Sequence, residues 1–214
     1  MAPIVIIGNP LSTCTRRVAV VCKFIGAEYT IKSITDWSLL KQPEYLKIQP
    51  FGQVPVLEEE DGWTVYESRA ISRYIVQKYG KGSSLLPPAD DLRAVAAFEA
   101  AASVEQANFD KIVADIVAEK IFKPMRGAQT DEKRVADLTE ALGPKLDGYE
   151  RILSKTKYIA SETLTVADLF HLPYGYMLEK TGSDALKDPS RPNVARWWKD
   201  ISSRPEWLAV AEGA

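Results

Sequence analysis

The sequence predicts an α/β domain followed by an all-helical one. Three observations carry that expectation. Short β-branched runs at residues 4–7 (Ile-Val-Ile-Ile) and 29–34 flank a stretch of helical period, and strand alternating with helix is the grammar of α/β structure. Asp61-Gly62 lies between the apolar runs 54–57 and 63–66, as in a hairpin. Beyond residues 80–89, rich in Gly, Ser and Pro, the apolar positions keep only the helical period.

Taken in order, the first run is a buried strand closed by Gly8-Asn9-Pro10. Val18, Val21, Cys22 and Ile25 then fall at i, i+3, i+4 and i+7, one face of a helix that Gly26 ends. The run 29–34 follows that crossover helix and is therefore expected parallel to the first strand. Residues 36–51 have no clean period. After the hairpin, Ser68 caps a helix with Ile71, Tyr74, Ile75 and Lys78 along one side. Strand, helix, strand, irregular segment, strand, strand, helix is the thioredoxin-like arrangement. Long helices are expected over 90–122 and 130–153. Thr165-Val-Ala-Asp168 has the form of a capping box opening a third, and Pro192 starts a fourth that carries Trp197 and Trp198. The expected division is a thioredoxin-like domain 1–80, a linker 81–89 and an all-helical domain 90–214.

Charge and composition exclude several classes. Lys and Arg number 27 against 29 Asp and Glu, a net charge of −2, without the clustered positive charge that grips a polyanion. The longest charge-free stretch, residues 1–15, is too short for a bilayer crossing and is broken by Pro3, Gly8, Asn9 and Pro10. It also lacks the basic start and continuous apolar block of a secretory leader. Cys14 and Cys22 share one expected helix at a spacing of about 12 Å, too far to bridge. With one histidine in the chain, no zinc-ligand pattern exists. A cytoplasmic protein without metal is expected.

Three segments combine residue types that binding chemistry uses. Residues 10–17 (Pro-Leu-Ser-Thr-Cys-Thr-Arg-Arg) stand where the first strand passes into the first helix. Amides at a helix start favour negative charge, and a hydroxyl there can donate to a thiolate; equally, Ser12 or Thr13 could serve only as the cap. Residues 51–55 (Phe-Gly-Gln-Val-Pro) put a proline at the first position of a strand. That suits a cis peptide bond exposing the Val54 backbone to an extended ligand, or an ordinary edge strand with a trans proline. Glu67 and Ser68 place a carboxylate and a hydroxyl at a helix start, partners for the two ends of an amino-acid zwitterion or plain capping residues.

Together these segments resemble the glutathione site of the cytosolic glutathione transferases, closest in wording to the phi class. Residues 122–125 (Phe-Lys-Pro-Met) with Gly127, and 166–173 (Val-Ala-Asp-Leu-Phe-His-Leu-Pro), resemble that class's second-domain signatures, so the likeness spans nearly the whole chain. The resemblance implies that Ser12 is the catalytic serine, donating to the glutathione sulfur. It implies that Gln53 and Val54, beside a cis Pro55, bind the glutathione backbone, and that Glu67 and Ser68 hold the γ-glutamyl end. Lys41, and with it Gln42, would meet the glycyl carboxylate; a histidine frequent beside that lysine is Leu40 here. Leu11, Trp37, Ala118 and Phe122 would line the electrophile cleft, with Ala118 where aromatic residues are common. A glycine usual in the turn before Thr165 is Ser161.

The implied activity is conjugation of glutathione to small hydrophobic electrophiles, with reduction of organic hydroperoxides by the same thiolate, in a cytoplasmic homodimer with glutathione as co-substrate. Two other readings use the same fold: a carrier of hydrophobic small molecules, and a thiol transferase acting through Cys14. Cys14 follows Ser12 by two residues, turned about 200° round the helix, and is expected to be a bystander. His171 and Asp168 are expected to serve the fold, Arg16 and Arg17 to be solvated or interfacial, and the Trp197-Trp198 pair to fill an interdomain core.

Overall fold

The computed structural model describes residues 3–214. The chain forms two compact units, one ending at Leu86 and completed by Arg204–Ala214, the other spanning Pro87–Ser203. The segment 204–214, which its helical pattern grouped with the second half, thus belongs to the first unit. The reason is apolar burial: Trp207 and Val210 are almost wholly enclosed there, and the short helix that carries Trp207 packs on the first helix of the chain.

In the first unit the elements run β1 (Ile4–Gly8), α1 (Thr13–Phe24), β2 (Tyr29–Ser33), a 3₁₀ turn (Trp37–Lys41), α2 (Pro43–Ile48), β3 (Val56–Glu58), β4 (Thr64–Tyr66) and α3 (Ser68–Tyr79). The sheet order is β2-β1-β3-β4. As the crossover rule requires, β2 is parallel to β1, while β3 runs antiparallel to both β1 and β4. The irregular segment of the sequence is thus the 3₁₀ turn and the single-turn helix α2. Ile6, Val56 and Leu57 of the sheet and Val18, Val21, Ile71 and Ile75 of α1 and α3 form the core. Cys22 lies in it, and burial pushes its thiol up to about 12, leaving it inert as a nucleophile.

One outlying feature is built on the hairpin. The Glu59 carboxylate receives the Lys78 ammonium at 2.6 Å and the hydroxyls of Tyr74 at 2.8 Å and Tyr79 at 3.0 Å. Burial pushes this carboxyl up, but the three donors outweigh it and hold it below its usual range.

The helical unit consists of α4 (Leu92–Glu105), a π turn (Gln106–Asp110), α5 (Lys111–Val117), a second π turn (Ala118–Phe122), α6 (Lys123–Met125), α7 (Glu132–Leu153), α8 (Val166–Leu169), α9 (Leu172–Lys180) and α10 (Pro192–Ser202). The helix beginning at Thr165 is therefore broken near His171, where Pro173 cannot supply an N–H. The short helix of the return segment is α11 (Pro205–Leu208). Asp168, fully enclosed, is the hub of the second core. It accepts from the Thr165 amide at 3.0 Å, the back-reaching half of the capping box, and from the Ile159 amide at 3.0 Å and Trp197 Nε1 at 2.9 Å. His171 Nε2 lies 2.9 Å from the Tyr149 hydroxyl and Nδ1 2.9 Å from the Ala167 carbonyl. The carbonyl can only accept, so Nδ1 carries the proton. His171 is thus a satisfied core residue, as expected.

Trp197 packs edge-on to His171 at 4.9 Å, and the Trp198 indole donates to Glu179 at 2.8 Å. The partners of the two rings, Tyr149 and His171 for Trp197 and Glu179 and Gly175 for Trp198, all belong to the helical unit. Among the described residues Glu67 is the only non-glycine with positive φ, so the backbone at Ser161 does not call for glycine.

Two variants test these interiors. Asp168→Asn turns an NH₂ group toward donors and is expected to cost about 2–4 kcal/mol in denaturant unfolding; a loss below about 0.5 kcal/mol would deny Asp168 its place as hub. A carboxyl depressed on folding stabilises above its unfolded pKa, near 4.3, and that contribution fades as pH falls. Glu59→Gln is therefore expected to flatten the decline in stability below about pH 5, read by circular dichroism, without altering the slope between pH 7 and 8.

Candidate functional site

Sheet register gathers the candidate residues of the first unit. Gly8 pairs with Ser33, and Ile7 with Val56, which in turn pairs with Tyr66. One step further along the ladder come Gly8, Pro55 and Glu67. The three chain segments singled out in the sequence, with the continuation of β2 toward Trp37 and Lys41, therefore leave the sheet at one end. Gly8 permits the approach: a Cβ there would stand 2.7 Å from Thr15 Oγ1 and 3.5 Å from Pro55 Cβ.

Ser12 is the N-cap of α1, with extended backbone, half-buried. Its Oγ accepts the Thr15 N–H at 3.5 Å, the long limit of a hydrogen bond. A hydroxyl that accepts through its oxygen keeps its own proton to donate, so capping and donation coexist in one side chain. No acidic residue stands in the first turn of α1, which leaves the positive end of the helix dipole uncompensated. Thr13 is buried and Leu11 exposed. The Leu11 amide donates to Asn9 Oδ1 at 2.9 Å, while Asn9 Nδ2 donates to the Ile34 carbonyl at 2.9 Å.

The Val54–Pro55 bond is cis. Val54 and Pro55 precede the first ladder residue of β3, Val56. The preceding turn is tight: Gly52 has φ +62°, and a Cβ on it would stand 2.6 Å from the Leu40 carbonyl and 3.0 Å from Lys41 Nζ. That brings the Lys41 ammonium beside the turn that carries Gln53. Lys41, Gln42 and Gln53 are exposed, whereas Leu40 is turned into the core. The position frequent for histidine thus contributes packing here. Trp37 is exposed and follows Asp36, whose carboxylate caps the 3₁₀ turn through the Ser38 amide at 2.9 Å.

Glu67 differs from the expected cap. Ser68 is the first helical residue, and Glu67, with φ +70° and no side-chain capping bond, is the N-cap. The chain passes from β4 to α3 in this one residue, and a left-handed non-glycine backbone costs about 1–3 kcal/mol. Glu67 is exposed and Ser68 buried. Ser68 Oγ accepts from Arg17 Nη1 at 3.0 Å, and the same nitrogen lies 3.5 Å from Cys14 Sγ. Arg16 and Arg17 are both buried, Arg17 completely. Of the two expectations for them, solvated or interfacial, burial excludes the first: α1 is covered on several sides, so even its polar first turns lie inside.

Two contacts had no signal in the sequence. The Tyr45 hydroxyl donates to the Gln53 carbonyl at 2.6 Å, and the Ala214 amide donates to the Pro10 carbonyl at 3.0 Å. Both end on backbone acceptors, which residue identity does not mark. Burial pushes the Tyr45 hydroxyl up to about 12, so it remains a donor at neutral pH.

In the helical unit, Ala118 and Phe122 are the first and last residues of the second π turn and are half-buried. Between them the buried Glu119 carboxylate binds the Lys123 ammonium at 2.7 Å and the Asp131 amide at 3.1 Å, and the Thr130 hydroxyl donates to the Glu119 carbonyl at 2.9 Å. The turn is thereby tied to the start of α7. Among the described residues no His, Cys, Asp and Glu cluster could hold a metal, and no helix is long and apolar enough to cross a membrane.

The family model "Glutathione S-transferase, N-terminal domain" matches residues 11–78, and "Glutathione S-transferase, C-terminal domain" matches residues 113–205. The Arabidopsis thaliana glutathione S-transferase PM239X14 is 47% identical over 203 residues, covering 92% of this chain and 91% of that protein. Glutathione transferase F7 from Populus trichocarpa superposes with a TM-score of 0.88 at 39% identity, covering 98% of each chain. Glutathione S-transferase I from maize, solved in complex with an atrazine glutathione conjugate, gives a TM-score of 0.90 at 32% identity over 98% of this chain and 97% of that one.

Gly52→Ala tests the tight turn. Its Cβ meets backbone, and φ there disfavours any side chain, so a loss of about 1–3 kcal/mol in stability is expected. Thermal unfolding unchanged within a degree would mean that the turn yields freely.

Proposed function

The chain belongs to the glutathione S-transferases of the phi class, enzymes that conjugate glutathione, and from that premise we propose that Ser12 activates the glutathione thiol for attack on small hydrophobic electrophiles. The observation that carries this is Ser12 Oγ at the N-cap of α1, half-exposed and with its proton free to donate. Gln53 and the Val54 backbone beside cis-Pro55 bind the peptide part of glutathione, Glu67 and Ser68 the γ-glutamyl end, and Lys41 with Gln42 the glycyl carboxylate. Leu11, Trp37, Ala118 and Phe122 receive the electrophile. The working form is a cytoplasmic homodimer.

The energetics suit one hydroxyl and a helix end. A free thiol with pKa near 8.5 is a few per cent ionised at pH 7. Lowering that value by ~2 units requires about 2.7 kcal/mol of preference for the thiolate. A charge-assisted hydrogen bond with the helix dipole is of that size. The thiol proton passes to solvent, and the serine hydroxyl donates to the sulfur anion. With an aryl halide, sulfur forms the C–S bond and halide departs with the C–halogen pair. With an organic hydroperoxide, the same thiolate attacks the terminal oxygen and the alcohol leaves; a second glutathione then completes the disulfide and releases water. Cys14 takes no part in either sequence.

Conjugation to a generic aryl halide, followed from pH 5.5 to 9, tests the assignment. Ser12→Ala is expected to lower activity at pH 6.5 at least tenfold and move the pH midpoint upward by about 1–2 units, whereas Cys14→Ser leaves both in place. An unmoved midpoint in Ser12→Ala together with a lost activity in Cys14→Ser would transfer the chemistry to the cysteine. Glutathione binding without turnover in the wild type would make the protein a carrier.

A further inference from the structure

We propose that the return segment 209–214 is a positioning strut for the Ser12 loop, setting the serine hydroxyl against the thiolate from behind; this rests on the reading of Ser12 above. The local cap is weak, since the Ser12 Oγ contact to the Thr15 amide is 3.5 Å. A donor that must meet a sulfur anion needs to be held within about 0.5 Å. The loop therefore depends on supports outside α1. One side is held by Asn9, which bonds both the Leu11 amide and the carbonyl of Ile34, the residue after β2. On the other side stands the C-terminal segment, which crosses back from the helical unit.

The strut has two ties and an anchored base. The Ala214 amide donates to the Pro10 carbonyl at 3.0 Å, two residues before Ser12. The Arg16 guanidinium, buried one turn after Ser12, donates to the Ala211 carbonyl. The ties therefore grip the chain on both sides of the serine. The base is apolar: Trp207, Val210 and Ala211 are buried, and the Gly213 amide bonds back to the Val210 carbonyl at 3.2 Å. Gly213 itself lies against the Leu11 side chain. The residues of the segment 209–214 act through the position of Ser12.

A double-mutant cycle on the pH midpoint of kcat/KM for glutathione tests this, with the unaltered chain 1–214 as reference. One variant lacks residues 211–214; a second, Ala214→Pro, removes only the amide donor to Pro10. Circular dichroism and the thermal midpoint establish that each is folded, and Ala214→Pro serves if the shortened chain is not. Each is expected to move the midpoint upward by about half a unit, roughly a threefold loss of thiolate preference, and to leave it unmoved when Ser12 is already alanine. A midpoint unchanged in both variants would overturn the strut. So would an equal shift in the Ser12→Ala background, since the segment would then act independently of the serine. If Ser12→Ala alone leaves the midpoint in place, the serine assignment itself falls and the strut with it.

Discussion

Three short runs of backbone pairing decide where the loops and helix starts of the first unit can stand. Because β3 is antiparallel to β1 and pairs Val56 with Ile7, the proline turn is delivered to the same end of the sheet as the loop after β1. Because β4 pairs Tyr66 with Val56, the start of α3 arrives there too. A slip of one residue would turn each side chain of a strand to the opposite face and carry the segments out of line. Close packing at that end then selects small atoms, and Gly8 meets the condition by leaving room for Thr15 and Pro55.

Strain and burial are concentrated around this end. Glu67 takes a backbone conformation that only this non-glycine residue adopts among the described ones, and two arginines of α1 are enclosed, Arg17 against the neighbouring Ser68. A buried guanidinium demands acceptors in fixed directions. Arg17 finds the Ser68 hydroxyl and Arg16 the Ala211 carbonyl, so each arginine joins the first helix to a part of the chain far away in sequence. Lys41 and Gln53, by contrast, stay exposed at the same end of the sheet.

Much of this was legible beforehand, and the boundary follows physical lines. Strands declared themselves through β-branched runs, the hairpin through Asp-Gly, and the capping of Thr165 by Asp168 through the spacing of its residue types. The three segments proposed to bind glutathione stood out because each pairs polar side chains with a turn or helix start that only certain residues allow. The burial of the arginines of α1 was not legible, because sequence charge points to solvation unless the cover is known, and part of that cover comes from residues 204–214. The π turns escaped since one inserted residue barely disturbs a helical period over five positions. Tyr45 and Ala214 escaped because their partners are peptide carbonyls, which every residue owns.

The return of the chain to its first unit also shapes how the protein is made. Arg16 and the Ala211 carbonyl are separated by 195 positions, and the entire helical unit is spelled out between them. A contact across so long a loop forms late, after the ordering of what lies between has lowered the entropy of closure. During synthesis from the N-terminus, the sheet and its helices can assemble while the loop before α1 still lacks one of its supports. Completion of that loop therefore waits until residues 211–214 have been made, so a nascent chain that has reached only the helical unit carries the loop without these two bonds, Arg16 to Ala211 and Ala214 to Pro10.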